Sequence, residues 1–204
     1  MNYSKDLIDF LNVSPVNFHA VKEVARRLDN AGYKCVSAEE RLGEVKAGDK
    51  FYVTKNDSSI YAFQIGKQTL GEAGFHIICA HSDSPTFRIK PNAEITCERG
   101  MTKLNTEVYG GPIMSTWFDR PLSIAGRVIV KTDDVMHPET RLLKVDRPVL
   151  LIPNLAIHFN RQVNDGVKLS KQKDVLPILG IVNDELERGN MLMNLICSEL
   201  GVQK

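Results

Sequence analysis

The chain has 204 residues, 43% hydrophobic and 25% charged, which excludes a disordered, collagen-like or mucin-like polymer. Lysine and arginine number 26 against 25 aspartates and glutamates, a net charge of +1, so there is no electrostatic footprint for nucleic acid or for an anionic membrane surface. This length accommodates one large domain or two small ones and can bury a core without disulfide or metal staples.

No apolar run approaches the roughly 20 residues of a bilayer-spanning helix. The N-terminus carries Asp6 and Asp9 and lacks an apolar h-region, so no secretory signal is expected. Cys35, Cys79, Cys97 and Cys197 are irregularly spaced with no CxxC pair, and are read as reduced thiols of a cytoplasmic protein. Ser4 is expected to cap a first helix with Leu7, Phe10 and Leu11 on one face, which Ser14-Pro15 interrupts. A second helix is expected from about Asn17, with Val21, Val24, Ala25 and Leu28 as its stripe and Gly32 as its stop. Lys50–Thr54 and Ser59–Ile65 flank Asn56-Asp57-Ser58, a hairpin signal. The apolar run Phe75–Ala80 suits a strand buried on both faces.

After Pro91 the composition turns β-branched. Strands are expected over Lys103–Tyr109, Ile124–Lys131, Leu142–Val145 and Val149–Ile152, with breaks at Gly110-Gly111-Pro112 and His137-Pro138. Asn160–Lys173 is polar. A last helix is expected over Asn183–Leu200, with Leu186, Met193, Ile196, Cys197 and Leu200 on its apolar face and Gly201 as its end. The fold class is therefore α/β at the start, followed by a mostly β unit, with the boundary near Pro91: residues 1–91 and 92–204.

The sharpest local feature is Ala80-His81-Ser82-Asp83-Ser84-Pro85. A buried strand running into His81 would place a good zinc ligand beyond the carboxyl end of a sheet strand. Asp83 could then reach the other ring nitrogen and fix the tautomer. Taken alone, the tripeptide is better explained by a plain loop hydrogen bond between the two, because His-x-Asp is common. Cys79, inside that strand, is expected to be an inert thiol. Ser115–Pro121 contains the only tryptophan; taken alone, Asp119-Arg120 is a structural ion pair and Trp117-Phe118 a packing anchor. His158 follows an apolar stretch and enters a polar loop. The adjacent acids Asp133-Asp134 and Asp184-Glu185 are read as solvated surface. There is no phosphate-binding Gly-rich loop and no Gly-x-Ser-x-Gly elbow.

Taken together and in order, Cys79–Pro85, Val108–Gly111, Ser115–Arg120 with Ala125–Val128, Ile152–Arg161, and Lys171–Asp174 with Leu176-Pro177 resemble the aspartyl aminopeptidase family of dinuclear zinc exopeptidases. The resemblance implies the start of a zinc-exopeptidase α/β catalytic domain followed by an inserted, mostly β dimerisation domain. By the family pattern His81 is a zinc ligand and Asp83 the catalytic companion carboxylate. His158 binds substrate in the active site of the partner subunit. The implied cofactor is zinc, two per site, with other divalent metals as options. The implied partners are peptide substrates, with acidic first residues as the family's preference, and further copies of the chain through the β unit, with no nucleic acid or membrane partner. The family's later bridging Asp, Glu pair, Asp and His have no counterparts here. The chain is therefore expected to be an incomplete, inactive N-terminal portion, with a separate C-terminal fragment as a further partner option. The alternative is a non-catalytic oligomerisation module derived from such an enzyme.

Overall fold

The computed structural model describes residues 2–97, 100–181 and 189–204. They form two units, Met1–Ser84 and Pro85–Lys204, each with its own sheet structure. In the first unit, helix α1 (Tyr3–Val13) is capped by Asn2, whose side chain accepts from the Lys5 amide at 3.1 Å. The expected cap, Ser4, lies inside the first turn, because Asn2 is the residue with extended backbone that can turn its oxygen back onto a free helix amide. No residue of α1 is buried, so the Leu7–Leu11 face is uncovered within this unit. Helix α2 (Asn17–Asn30) buries Ala20 and Val21.

Strands β1 (Lys34–Cys35), β2 (Lys50–Lys55) and β3 (Ser59–Gln64) form a sheet in the order β1-β2-β3, with β1 parallel to β2 and β2 antiparallel to β3. Asn56 and Asp57 close the hairpin with φ of 52° and 53°. Paired positive φ values give a turn whose twist matches the strands. Buried Tyr52 donates its hydroxyl to Asp29 at 2.8 Å, tying β2 to α2. That bond and burial both push the phenol up from its ordinary value.

Glu23 of α2 accepts from Arg26 and Arg27 at 2.7–2.8 Å, and Arg27 continues to Asp6 of α1 at 3.0 Å. The Arg26 hydrogen bond, opposed by desolvation and helped by Arg27, pulls the Glu23 carboxyl down to about 2. A carboxyl held below its unfolded value of about 4.3 stabilises the fold above that pH, and the contribution fades as the pH falls towards 2. Both arginines are partly solvated, which screens the effect. Glu23→Gln is therefore expected to cost about 1 kcal/mol near neutral pH. Urea midpoints of the two proteins should converge as the solution is acidified; a constant gap would refute the assignment.

A short helix α3 (Leu70–Ala73) precedes the segment expected to be a buried strand. Phe75–Ala80 is not a strand. It has no ladder partner among the described residues, and its side chains face solvent, Ile78 at 99% exposure. Composition alone marked it as buried; a strand also needs neighbours to take its amides and carbonyls. Cys79 is likewise exposed and does not have the buried environment expected of it.

The second unit opens with β4 (Thr86–Thr96) and β5 (Met101–Tyr109), an antiparallel pair that β8 (Ile178–Ile181) extends on the far side of β5. Pro91, where the composition changes, lies inside β4. It sits within an irregularity, where pairing jumps from Ile89–Thr106 to Glu94–Leu104, because proline has no amide to donate to the ladder. Strands β6 (Ala125–Val130) and β7 (Glu139–Lys144) form a separate hairpin. The expected strand at 149–152 reduces to isolated bridges, Leu150 to Leu122 and Leu151 to Ile178.

Helix α4 (Met191–Leu200) covers the core made by Leu104, Ile124, Leu143, Val145, Leu150 and Leu192. Its inward face is Leu192, Leu195, Ile196 and Leu200, whereas Met193 is exposed, so the expected stripe is rotated. Gly201 ends it with φ 63°, and the Val202 amide closes onto the Cys197 carbonyl at 3.0 Å. The earlier part of the expected helix, with Leu186, Asp184 and Glu185, lies outside the described residues.

Candidate functional site

His81 follows the unpaired segment at the end of the first unit, so its placement comes from side-chain bonds rather than from a sheet. Its Nδ1 lies 2.8 Å from the Asp83 carbonyl oxygen and 3.0 Å from Asp83 Oδ1. Both atoms are acceptors, so in the neutral ring Nδ1 carries the proton and Nε2 presents a lone pair. The His81 side chain is 82% exposed. Ser82 fixes the same loop to the β2–β3 turn by donating to the Ser58 carbonyl at 2.9 Å.

As a zinc donor the arrangement fits: a neutral imidazole oriented through its second nitrogen, with the first free to coordinate. It supplies one donor. Among the described residues no group of three or more His, Cys, Asp or Glu side chains converges to hold a metal ion, whereas a catalytic zinc takes about three protein ligands.

The remaining motif segments lie in the second unit. Thr86 pairs with Tyr109, and Gly110 follows with φ +74°. A Cβ on Gly110 would stand 3.3 Å from the Pro85 Cα, so the Tyr109-Gly110-Gly111 turn needs glycine for both its angle and its clearance. The guanidinium of Arg88 stacks 3.5 Å over the Tyr109 ring. A 3-10 turn over Met114–Trp117 brings Trp117 edge-on to Phe87 at 4.8 Å.

Asp119 is not an ion-pair partner of Arg120, as the sequence suggested. Its two carboxylate oxygens accept from the Asn154 backbone amide and side-chain amide, each at 2.9 Å. Those bonds, the backbone one first, hold its carboxyl below the usual value. Arg120 instead donates to the Thr116 carbonyl at 3.4 Å. The long-range acceptor role of Asp119 was not legible in the sequence.

His158 is exposed in a turn that the Phe159 amide closes onto the Ala156 carbonyl at 2.8 Å. Leu155, Ile157 and Phe159 around it are exposed as well, Phe159 at 81%. The structure thus brings His81 and Asp83 together in the first unit and places His158 on a loop of the second.

The family described as aminopeptidase I zinc metalloprotease (M18) matches residues 10–204, and the chain belongs to that family. It is 52% identical over 201 residues to a probable M18 family aminopeptidase 2 of Clostridium acetobutylicum, covering 98% of this chain. It is 48% identical over 202 residues to the corresponding protein of Clostridium novyi, covering 99%. In both cases the chain spans 46% of the relative's length. Among solved structures, Ape4 from a complex with Nbr1 superposes with a TM-score of 0.88 at 35% identity, over 96% of this chain and 39% of the other. Chaetomium thermophilum mApe1 gives 0.86 at 32%, over 99% and 47%. The α/β fold expected from the sequence is therefore that of part of an M18 aminopeptidase. No helix among the described residues is long and apolar enough to cross a membrane.

Proposed function

We propose that this chain is the N-terminal portion of a zinc aminopeptidase, in which His81 is a metal ligand, Asp83 its orienting carboxylate and His158 a substrate-binding donor. The observation that carries the proposal is the engagement of His81 Nδ1 by Asp83, in a chain whose family match runs over residues 10–204. Bound zinc, two ions per site or another divalent metal in its place, supplies Lewis-acid polarisation of the scissile carbonyl and an activated water. Within this chain, Asp83 keeps the His81 proton on Nδ1 and so keeps the Nε2 lone pair available. The substrate is a peptide with a free N-terminus, with acidic first residues as the preference.

His158 offers a hydrogen-bond donor from a loop whose apolar side chains are uncovered in the isolated chain. Seating that loop in a second subunit would cover Leu155, Ile157 and Phe159, which supports a homo-oligomer built through the second unit. A dodecamer is recorded for the mApe1 of S. cerevisiae. The protein is read as cytoplasmic.

The test uses two proteins, residues 1–204 alone and the same residues joined to the remaining C-terminal part of the Clostridium acetobutylicum relative. The chain alone should not hydrolyse aspartyl or leucyl amides with added zinc, manganese or cobalt, because it contributes one of about three ligands. The completed enzyme should hydrolyse them and stop on chelation. Robust chelator-sensitive turnover by residues 1–204 would overturn the partial-site reading. A completed, metal-loaded protein that self-associates without turnover would favour a non-catalytic oligomerisation module.

A further inference from the structure

We infer that Asp119 is a positioning residue that clamps the base of the loop carrying His158; the consequence for substrate rests on the role proposed for His158. Three hydrogen bonds join two segments 35 residues apart. The Asp119 amide donates to the Ile152 carbonyl at 2.9 Å. Asp119 Oδ1 accepts from the Asn154 amide and Oδ2 from Asn154 Nδ2, each at 2.9 Å.

The site as it stands suits an ionised aspartate. The backbone at Asp119 has φ 55°, a left-handed conformation that glycine, asparagine and aspartate tolerate. Asn154 presents two donors, so the partner must offer two acceptors. Glycine tolerates the angle and offers no acceptor at this distance, whereas asparagine would still accept from the Asn154 backbone amide and could donate to Asn154 Oδ1 once that side-chain amide turns over, so glycine is the substitution that removes the clamp. Ile152, at the start of the clamped segment, is buried at 1% exposure, and Pro153 has a fixed φ. The chain is thus anchored from Ile152 through Asn154, and His158 follows after a short exposed stretch. Asp119 sets the direction in which that stretch leaves the unit, although the carboxylate is not among the groups assigned to substrate.

The test reverses the polarity of the pair. In residues 1–204, Asp119→Gly, which keeps the backbone angle and removes both acceptors, should speed amide hydrogen exchange at Asn154 and Phe159 at least about fivefold, with Leu104 and Thr106 in β5 unchanged. Asn154→Asp should do the same by opposing two carboxylates. The double variant Asp119→Asn with Asn154→Asp restores one donor against each acceptor, and should bring both amides back to within about twofold of the parent. Unchanged exchange in Asp119→Gly, acceleration spread through β5, or no recovery in the reversed pair would each overturn the clamp.

In the completed enzyme, Asp119→Gly should raise KM about fivefold with metal content and kcat retained, and should add nothing on a His158→Ala background. An additive effect on that background would overturn the coupling between clamp and loop. If His158→Ala leaves KM untouched, the substrate role of His158 fails, and the exchange measurements decide the clamp by themselves.

Discussion

His81→Ala in the completed enzyme is expected to lose a metal ion and to lower kcat/KM by more than about 100-fold. Removing the partner that merely orients a metal-bound histidine typically costs 10–100-fold, and His81→Ala removes the donor itself. Asp83→Asn should fall at the lower end of that range, because the Asp83 main-chain oxygen, 2.8 Å from Nδ1, remains to hold the ring's proton. His158→Ala should keep its full metal content and turn over slowly, since it deletes only a donor on an exposed loop. Metal analysis beside hydrolysis of an aspartyl amide separates these outcomes. The two histidine variants should also complement one another. When His81→Ala and His158→Ala subunits exchange, a mixed dimer has one site with an intact His81 and a neighbour's intact His158, so activity should partly return. Full metal retention in His81→Ala would remove it from the ligand set. Proven subunit exchange without recovery would show that His158 does not act across an interface.

Leu104→Ala is expected to destabilise the second unit by about 3 kcal/mol, within the 2–5 kcal/mol range of large-to-small core substitutions. Leu104 is fully buried and shares one core cluster with Ile124, Leu143, Val145, Leu150 and Leu192. Its backbone amide is tied to the Pro177 carbonyl at 2.8 Å, so the strand cannot easily sink into the space left behind. Collapse is what keeps such costs low, so the larger value is expected here. Trp117, the only tryptophan, lies against Phe87 in the same unit and reports its unfolding without interference from the first. A loss below about 1 kcal/mol would show that this core repacks.

Elements set by nearby residues were readable from the sequence. Helix α2 ends within two residues of its glycine signal, and the β2–β3 hairpin sits where Asn56-Asp57-Ser58 placed it, because a turn and a helix stop are decided over a few positions. The His81–Asp83 bond was readable for the same reason. Strand β4 was missed because Pro91 and the alternation of polar residues around it mask a long edge-type strand with an irregular register. Strand β8 was missed because its partners, β5 and Leu151, lie far away in the chain. The Asp119–Asn154 clamp belongs to the same group: nothing near either residue announces the other. Phe75–Ala80 was read as buried because its composition is that of an interior strand, yet burial depends on neighbours that composition does not supply.

That same segment makes solubility a constraint on this chain. Phe75-His-Ile-Ile-Cys-Ala80 is six residues without proline or acid, rich in β-forming side chains, exposed and outside every described strand ladder. Such windows can stack between molecules as cross-β ladders. Glu72 on one side and Asp83 on the other are the nearest acids, placed where gatekeeper charges interrupt stacking. During synthesis the window leaves the ribosome before most of the chain exists, so for that interval the flanking charges are the only brake on stacking that its neighbouring sequence supplies.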